Sequence, residues 1–527
     1  MVGVPRRSRG CITCRKRKKG LTSVAQCDRR TPVCDRCVRA QVTCEGYETD
    51  RIWLNSTASA ASNQTCCTSP DLEMASEIRP WIVSYAKRRE SSPHVVLPDS
   101  FARSAREQLY FGLFWSLMIP DGPQFSPESS DLSSVGWTRF IGELYNTETA
   151  LRYATVATAT SILGRINNDE QLRLKGLQVY NWTIQEMIKA VKQPNRARSD
   201  SLVVAARVMA LYELFFGPDG DPRVAGWQRH SEGQLAMFLA RGPESFVSGV
   251  SHQLFVDSRI NIILMAIRRR CSSPFSSDEW KTIPWIITEK STKDRLIDVM
   301  SGIPDILVQV DLLAASITQE SADKIREKIL PQCREVEAAL IAWRVHVDLS
   351  IYDYAIAGLP LPIPQLDSDF SLLHLSCVYW SICLMLSCII ESVSEDSLVD
   401  GVWEDTMDPA YLQRHDQNSI GRPEQYASKI VNCGHLFFEP MAGAVQGGSG
   451  LFPMVCAWRF YELAAESSGK RSAELQILYD LFDRPFMGNQ VGRYLSHLQK
   501  SMWKHNLTTQ CTRRVGLSRL NYWMAWF

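Results

Sequence analysis

Six cysteines near the start of the chain have a spacing that is typical of metal ligands. They follow the pattern C-x2-C-x12-C-x6-C-x2-C-x6-C and are Cys11, Cys14, Cys27, Cys34, Cys37 and Cys44. Thiolates without a nearby histidine favour Zn²⁺ in closed tetrahedral sites, and the first 93 residues contain no histidine. Six thiolates cannot fill two separate four-ligand sites, but two ions that share two bridging thiolates are both four-coordinate. We therefore expect a cluster of two zinc ions.

A run of basic residues follows the second cysteine directly: Arg15, Lys16, Arg17, Lys18 and Lys19. In residues 1–47, nine arginines and three lysines stand against three acidic residues, a net charge of +9, which leaves −8 for the rest of the chain. A basic head on a mildly acidic body is typical of a polyanion-binding module attached to a larger domain. In the DNA major groove such side chains donate to guanine O6 and N7. The alternative interpretation is a nuclear localisation signal, and the two roles are compatible.

The cysteine pattern resembles that of the fungal binuclear zinc cluster DNA-binding domain. That family has a proline in the loop before its fourth cysteine, and Pro32 lies at the matching position of this chain. The resemblance implies that Cys11 and Cys34 bridge the two ions. It further implies that Cys14 and Cys27 complete one site, and that Cys37 and Cys44 complete the other. The family's base contacts to a CGG triplet fall on Arg17 and Lys18, and we expect Arg15, Lys16 and Lys19 to contact phosphates.

One feature departs from the family pattern. Twelve residues separate Cys14 from Cys27 where the family normally has six, and removal of residues 21–26 would restore the usual spacing. Two interpretations are open: a loop after a short helix that ends at Gly20, or an error in the gene model. If the insertion is real, it weakens the assignment of Cys27 as a ligand.

The remaining chain divides by composition. We expect a basic arm at residues 1–10, the zinc cluster at 11–47, a flexible linker at 48–100 and a large all-α domain at 101–527. The linker contains a small, polar, weakly charged segment at residues 56–70 and no sustained heptad. A homodimer formed through the large domain and a monomer therefore both remain open.

Helical periodicity predominates in the large domain, where no alternation of strands and helices is found. Helix spacing predicts a helix with an apolar face that ends before Pro194, and a second helix over residues 202–216 that Ser201 caps. A turn at residues 217–222 would follow, and further helices are predicted at 335–346 and 474–482. The first face comprises Leu177, Tyr180, Ile184, Met187, Ile188 and Val191. The motif Trp227-x2-His230-x2-Gly233, followed by residues 239–243, resembles a signature of the fungal-specific transcription factor domain. We expect His230 to be packed or hydrogen-bonded rather than catalytic.

Residues 370–390 carry no charge over a length that could span a membrane. Serines, His374 and three cysteines interrupt this segment, so a buried core helix is the better interpretation. Cys377, Cys383 and Cys388 form no C-x2-C pair and are expected to be small buried apolar residues.

Known enzyme motifs are incomplete in this sequence. Residues 447–451 approach a G-x-S-x-G elbow but end in leucine, and Gly469-Lys470 lacks the rest of a phosphate-binding loop. The start of the chain does not resemble a signal peptide, so the cysteines are expected in a reducing compartment.

Together these features predict a non-enzymatic, zinc-dependent, sequence-specific transcription factor in the nucleus. It would bind double-stranded DNA and transcriptional coregulators and regulate genes transcribed by RNA polymerase II, such as a metabolic gene cluster. No association with a membrane is expected. An acidic group at residues 391–400 is one candidate contact for coregulators, with a solvated loop as the alternative. The competing hypotheses are a zinc-dependent nuclear adaptor that does not bind specific DNA, and a helical enzyme domain tethered to a zinc module.

Overall fold

The structure is a computed structural model that describes residues 13, 34–44, 99–118, 131–216, 223–347, 361, 363–393 and 422–484. The described residues before Leu109 belong to one compact unit, and those from Leu109 onward belong to a second. The described part is mostly helical and contains no β-strand, in agreement with the predicted all-α domain. The predicted basic arm at 1–10, the turn at 217–222 and all but the last two residues of the predicted linker lie outside the described residues.

The first unit contains a very small apolar core around its cysteines. Its helix α1 spans Asp35–Arg39, and a longer helix, α2, spans Asp99–Met118 and runs into the second unit. Cys34 and Cys37 are completely buried, and Val42 and Cys44 pack against them. Four side chains bury too little apolar surface to hold a fold together, so this region needs another source of stability.

The first half of the second unit is a series of helices that pack mainly on their neighbours in the chain. The long helix α4 lies along α5, and α7 packs on both α4 and α8. The bounds are α3 Arg139–Leu144, α4 Thr149–Ile166, α5 Glu170–Val191, α6 Pro194–Ala197, α7 Asp200–Phe216, α8 Arg223–Arg241 and α9 Gly249–Arg269.

Helix α5 is confirmed, but its predicted apolar face is only partly correct. Leu177, Ile188 and Val191 are between 44% and 49% exposed, whereas Gly176 and Tyr180 face the protein interior. The reason is the close approach of α4, since a Cβ atom at Gly176 would lie 2.1 Å from Ser161 Oγ. A helix pair this close requires small residues at the contact, and Leu177, Ile188 and Val191 turn outward.

Helix α7 is almost entirely buried over its first half, as its apolar density predicts. The predicted cap, Ser201, is two residues too late. Helix α7 begins at Asp200, and the Leu202 backbone N–H donates to Ser199 Oγ at 3.3 Å. Ser199 therefore occupies the capping position, because a cap accepts from the third residue of the helix, and Ser201 lies inside the first turn.

The second half of this unit contains the largest apolar core. Helix α14 lies at its centre and packs on α13, α15 and α17. The bounds are α10 Asp278–Thr282, α11 Thr292–Met300, α12 Ile303–Ala314, α13 Gln319–His346, α14 Asp367–Val393, α15 Pro423–Gly434, α16 Gly443–Ser449, α17 Leu451–Ser468 and α18 Ala473–Phe482. The helices predicted at 335–346 and 474–482 are thus confirmed within α13 and α18.

Helix α14 contains the uncharged segment singled out in the sequence. Among the described residues, Ser368–Val393 is the one helix long and apolar enough to cross a membrane. Within it, 94% of the most apolar 18-residue stretch is buried inside the protein. That burial agrees with the predicted core helix. Cys377 and Cys383 are buried and Cys388 nearly so, and burial raises the pKa of all three thiols, as expected for structural cysteines.

Candidate metal centre

Three of the six predicted zinc ligands converge in the first unit. The thiol sulfurs of Cys34, Cys37 and Cys44 all lie within 4.8 Å of one another, and they form the one such group among the described residues. In a tetrahedral site with Zn–S bonds of about 2.3 Å, neighbouring sulfurs are about 3.8 Å apart. The three thiols therefore lie within the distance needed to bind a single metal ion, and an all-sulfur donor set is consistent with zinc.

Local backbone geometry accounts for the convergence. Cys34 immediately precedes α1, and Cys37 follows one helical turn later, with its backbone N–H 3.4 Å from Cys34 Sγ. After α1 the chain reverses direction at Gln41, which adopts a positive φ of 50°, and the Val42 N–H donates to the Cys37 carbonyl oxygen at 3.1 Å. This reversal returns Cys44 to the pair.

Electrostatics also favours a bound cation at this group. Burying a thiolate is unfavourable unless a cation or hydrogen-bond donors compensate its charge, and both Cys34 and Cys37 are completely buried. The Cys37 N–H supplies one donor to Cys34 Sγ. A divalent metal ion bound by the three sulfurs would supply the rest, so the residues present fit zinc.

One hydrogen bond connects the beginning of the cysteine pattern to its end. Thr13 lies between Cys11 and Cys14, and its hydroxyl donates to the Thr43 carbonyl oxygen at 3.0 Å. Thr43 directly precedes Cys44. The chain next to the first C-x2-C pair is thereby held beside the last cysteine, although 30 residues separate the two threonines.

The remaining predicted site residues lie outside the described residues. These are the ligands Cys11, Cys14 and Cys27, the basic run Arg15, Lys16, Arg17, Lys18 and Lys19, and the extra segment at residues 21–26. The count of ions and the DNA contacts therefore remain predictions.

His230 in the second unit has the structural role expected from the sequence. Its Nε2 lies 2.8 Å from Tyr180 Oη, and the Tyr180 hydroxyl donates to Glu213 Oε1 at 2.6 Å. Because the phenol has a single hydrogen, His230 must donate its own Nε2–H to the phenol oxygen. Burial lowers the pKa of His230 to about 4, so the ring is neutral near pH 7, and burial followed by Glu213 raises the pKa of Tyr180.

The segments that approach enzyme motifs have other structural roles. Ser449 ends α16, and its hydroxyl donates to the Gln446 carbonyl oxygen at 2.6 Å. A nucleophile elbow requires a strand before the serine, whereas a helix precedes Ser449. Gly469 has a φ of 68° and ends α17 with a left-handed residue, which is an ordinary helix terminus.

A second feature, Arg207, was not indicated by any motif. It is the one charged residue in the apolar stretch 202–212 of α7, and its side chain is 6% exposed beside a cavity. A lone arginine in an otherwise buried helix is the signal that sequence inspection could have used, since such a group is rarely buried without a reason.

Comparison with known proteins gives one distant match. The chain is 19% identical over 172 residues to a protein of Emericella nidulans that is described as uncharacterized. The match covers 32% of this chain and 36% of the relative, so the chain spans about a third of that protein's length. No protein-family model and no solved structure matches the chain.

Proposed function

We propose that this chain is a nuclear, zinc-dependent, sequence-specific DNA-binding regulator of transcription. The observation that carries the proposal is the convergence of Cys34, Cys37 and Cys44 to within 4.8 Å. These are three of the four cysteines that a binuclear cluster would assign to one ion. The concentration of positive charge in the same 47 residues adds a reason to expect a polyanionic partner.

The full cluster would contain two ions and six thiolates. Cys37 and Cys44 would hold one ion, Cys14 and Cys27 the other, and Cys11 and Cys34 would bridge the two. The Thr13–Thr43 hydrogen bond supports this arrangement, because it holds the residues next to Cys11 and Cys14 near Cys44. When bound, zinc would supply the folding stability that the small apolar core of this unit lacks.

Sequence recognition would depend on the basic run after Cys14. Arg17 and Lys18 would donate to guanine edges in a CGG triplet, and Arg15, Lys16 and Lys19 would neutralise phosphates. Base contacts give discrimination between sequences, whereas phosphate contacts give affinity that falls with salt. The helical second unit would then regulate the bound complex or recruit coregulators.

A fluorescence-anisotropy titration of the zinc-loaded full chain tests this proposal. We expect tighter binding to a CGG duplex than to a scrambled duplex, with affinity for both falling steeply as salt increases. Lys18→Ala should reduce the discrimination about tenfold to a hundredfold, the equivalent of one lost base contact of about 1–3 kcal/mol. Lys324→Ala is the control, because its side chain is exposed and paired with Glu320 in the second unit.

The same titration separates the alternatives. Equal affinity for both duplexes, with a steep salt dependence, would contradict sequence-specific recognition and favour non-specific charge binding. No binding to either duplex would favour the adaptor hypothesis. A parallel titration of a chain lacking residues 21–26 shows whether the extra segment belongs to the functional protein.

A further inference from the structure

The second unit contains a cavity whose lining is apolar except for a few buried polar groups. Its volume is about 190 Å³, and helices α7, α9, α14 and α17 contribute to its walls. Ala210, Leu211 and Leu214 of α7 are only half-buried because they face this space. The cavity therefore explains why the second half of α7 is less buried than its first half.

The charge of the cavity lining is positive. Among the described residues that line it, Arg207 and Arg268 carry charge and no carboxylate is present. His374 also lines the cavity, and burial lowers its pKa to about 4, so it is neutral near pH 7. An anionic group that entered the cavity would meet no like charge.

Arg207 is the group best placed to bind such an anion. Its guanidinium is stacked on the Trp137 indole, with Cζ 4.4 Å from the ring centroid, and Nη1 donates to Ser258 Oγ at 2.8 Å. No ion pair and no other hydrogen bond of this guanidinium are found among the described residues. A guanidinium has five N–H donors, so most of its capacity remains for a ligand.

Asp257 attracts Arg207 electrostatically, but no hydrogen bond between these two side chains is found among the described residues. Asp257 accepts from Lys293 Nζ at 2.7 Å, from the Trp137 backbone N–H at 2.8 Å and from Gln253 Nε2 at 3.0 Å. Its negative charge is thus already matched by a buried ammonium. Arg207 remains an extra buried cation, which is unfavourable in an apolar interior unless an anion accompanies it.

We propose that this cavity binds a small monocarboxylate with an apolar body, with its carboxylate paired to Arg207. A planar guanidinium binds a carboxylate through two parallel hydrogen bonds, and the apolar side chains Leu211, Leu264 and Phe452 surround the rest of the ligand. An apolar cavity of about 150 Å³ accepts benzene, so the volume here suits one ring with a carboxyl group. The proposal does not depend on the proposed binding of DNA.

Benzoate and benzamide provide a direct test, because they have the same size and shape but only benzoate is an anion at pH 7. Isothermal titration of the full chain should show that benzoate binds at least tenfold more tightly than benzamide. Benzoate should also raise the melting temperature of the second unit, since a ligand that binds only the native state stabilises it. Equal affinities, or no benzoate binding at millimolar concentration, would overturn the proposal.

Two variants place the binding in this cavity. Arg207→Met should abolish the preference for benzoate, and Leu264→Trp should abolish binding of both compounds by filling the cavity. Arg270→Met is the matched control, since Arg270 pairs with Asp311 and does not line the cavity. Benzoate binding that is unchanged in both Arg207→Met and Leu264→Trp would contradict the assignment of binding to this cavity. The comparison of benzoate with benzamide uses the unaltered chain, so it does not depend on whether a variant folds.

Discussion

Lys293 Nζ lies 2.7 Å from Asp257 Oδ1, and both side chains are almost completely buried. The ammonium also donates to the Ser133 carbonyl oxygen at 2.8 Å, while the carboxylate accepts the Trp137 backbone N–H. This ion pair connects α9 and α11 to the segment before α3. Each partner provides the other with a buried opposite charge at hydrogen-bond distance.

Asp257→Asn should therefore be strongly destabilising. Removing the Asp257 carboxylate breaks a buried ion pair, which costs about 3–5 kcal/mol in the free energy of unfolding. Denaturant titration measures this loss. The double variant with Lys293→Met should cost less than the sum of the two single variants, because it leaves no uncompensated charge.

The exposed ion pair between Arg173 and Glu170 provides the control. Both side chains are more than half exposed, so Arg173→Met should change the free energy of unfolding by about 1 kcal/mol or less. If Asp257→Asn costs no more than this control, the buried pair does not have the structural role assigned to it.

Gly176→Ala and Gly233→Ala should have opposite effects, although both glycines lie inside helices. A Cβ atom at position 176 would lie 2.1 Å from Ser161 Oγ and 3.0 Å from the Ser161 backbone nitrogen, so α4 and α5 must separate, at about 1–3 kcal/mol. A Cβ atom at position 233 meets no atom within 4 Å, and alanine there should stabilise α8 by up to about 1 kcal/mol. Thermal unfolding of the two variants checks the signs, and a stabilising Gly176→Ala would refute the close helix contact.

His374 should make the second unit less stable as the pH falls. Burial lowers the pKa of His374 to about 4, with a smaller effect from Lys293, whereas an unfolded histidine titrates near pH 6.5. The unfolded state therefore binds more protons between pH 6.5 and pH 4, and the free energy of unfolding decreases over this window by about 3 kcal/mol in all. His230 acts in the same direction.

His374→Gln should reduce this pH dependence, and denaturant titrations at several pH values between 4 and 7 measure it. His346→Gln is the control, because His346 is exposed at the end of α13. A slope in His374→Gln equal to that of the unaltered chain would show that the burial of this histidine does not govern the acid sensitivity.

Much of the helical architecture could be predicted from sequence periodicity, but the side chains that face the core could not always be identified. Leu177 was expected on an apolar face, yet it is exposed because Gly176 allows α4 to approach and determines the orientation of α5. Local periodicity contains no information about which neighbour a helix will contact. The role of Arg207 depends on residues 51 and 70 positions away in the chain, Ser258 and Trp137, and this contact was equally inaccessible.

The candidate metal centre was more predictable than the cavity. The resemblance of the cysteine pattern to the fungal zinc cluster family implied that Cys34, Cys37 and Cys44 share an ion, and their sulfurs do lie together. The cavity lies between side chains of several helices that are distant in the sequence. Local sequence patterns do not show how closely such helices pack, so the cavity could not be predicted.

Removal of zinc should affect DNA binding and the stability of the second unit differently. A chelator should abolish binding of the full chain to the CGG duplex, because we expect that the small core around Cys34 and Cys37 does not fold without metal. Thermal unfolding of the second unit should remain unchanged, since the candidate metal group lies in the first unit. DNA binding that persists in a metal-free chain would contradict a zinc-dependent module.

Elemental analysis of the purified full chain tests the zinc cluster most directly. We expect two zinc ions per chain, loss of bound zinc in Cys37→Ser, and an unchanged ratio in Cys271→Ser, whose cysteine is exposed in the second unit. Repeating the measurement without residues 21–26 shows whether Cys27 needs the shorter spacing. A ratio that stays well below two in both forms, or a ratio that Cys37→Ser leaves unchanged, would contradict a two-zinc cluster built on these cysteines.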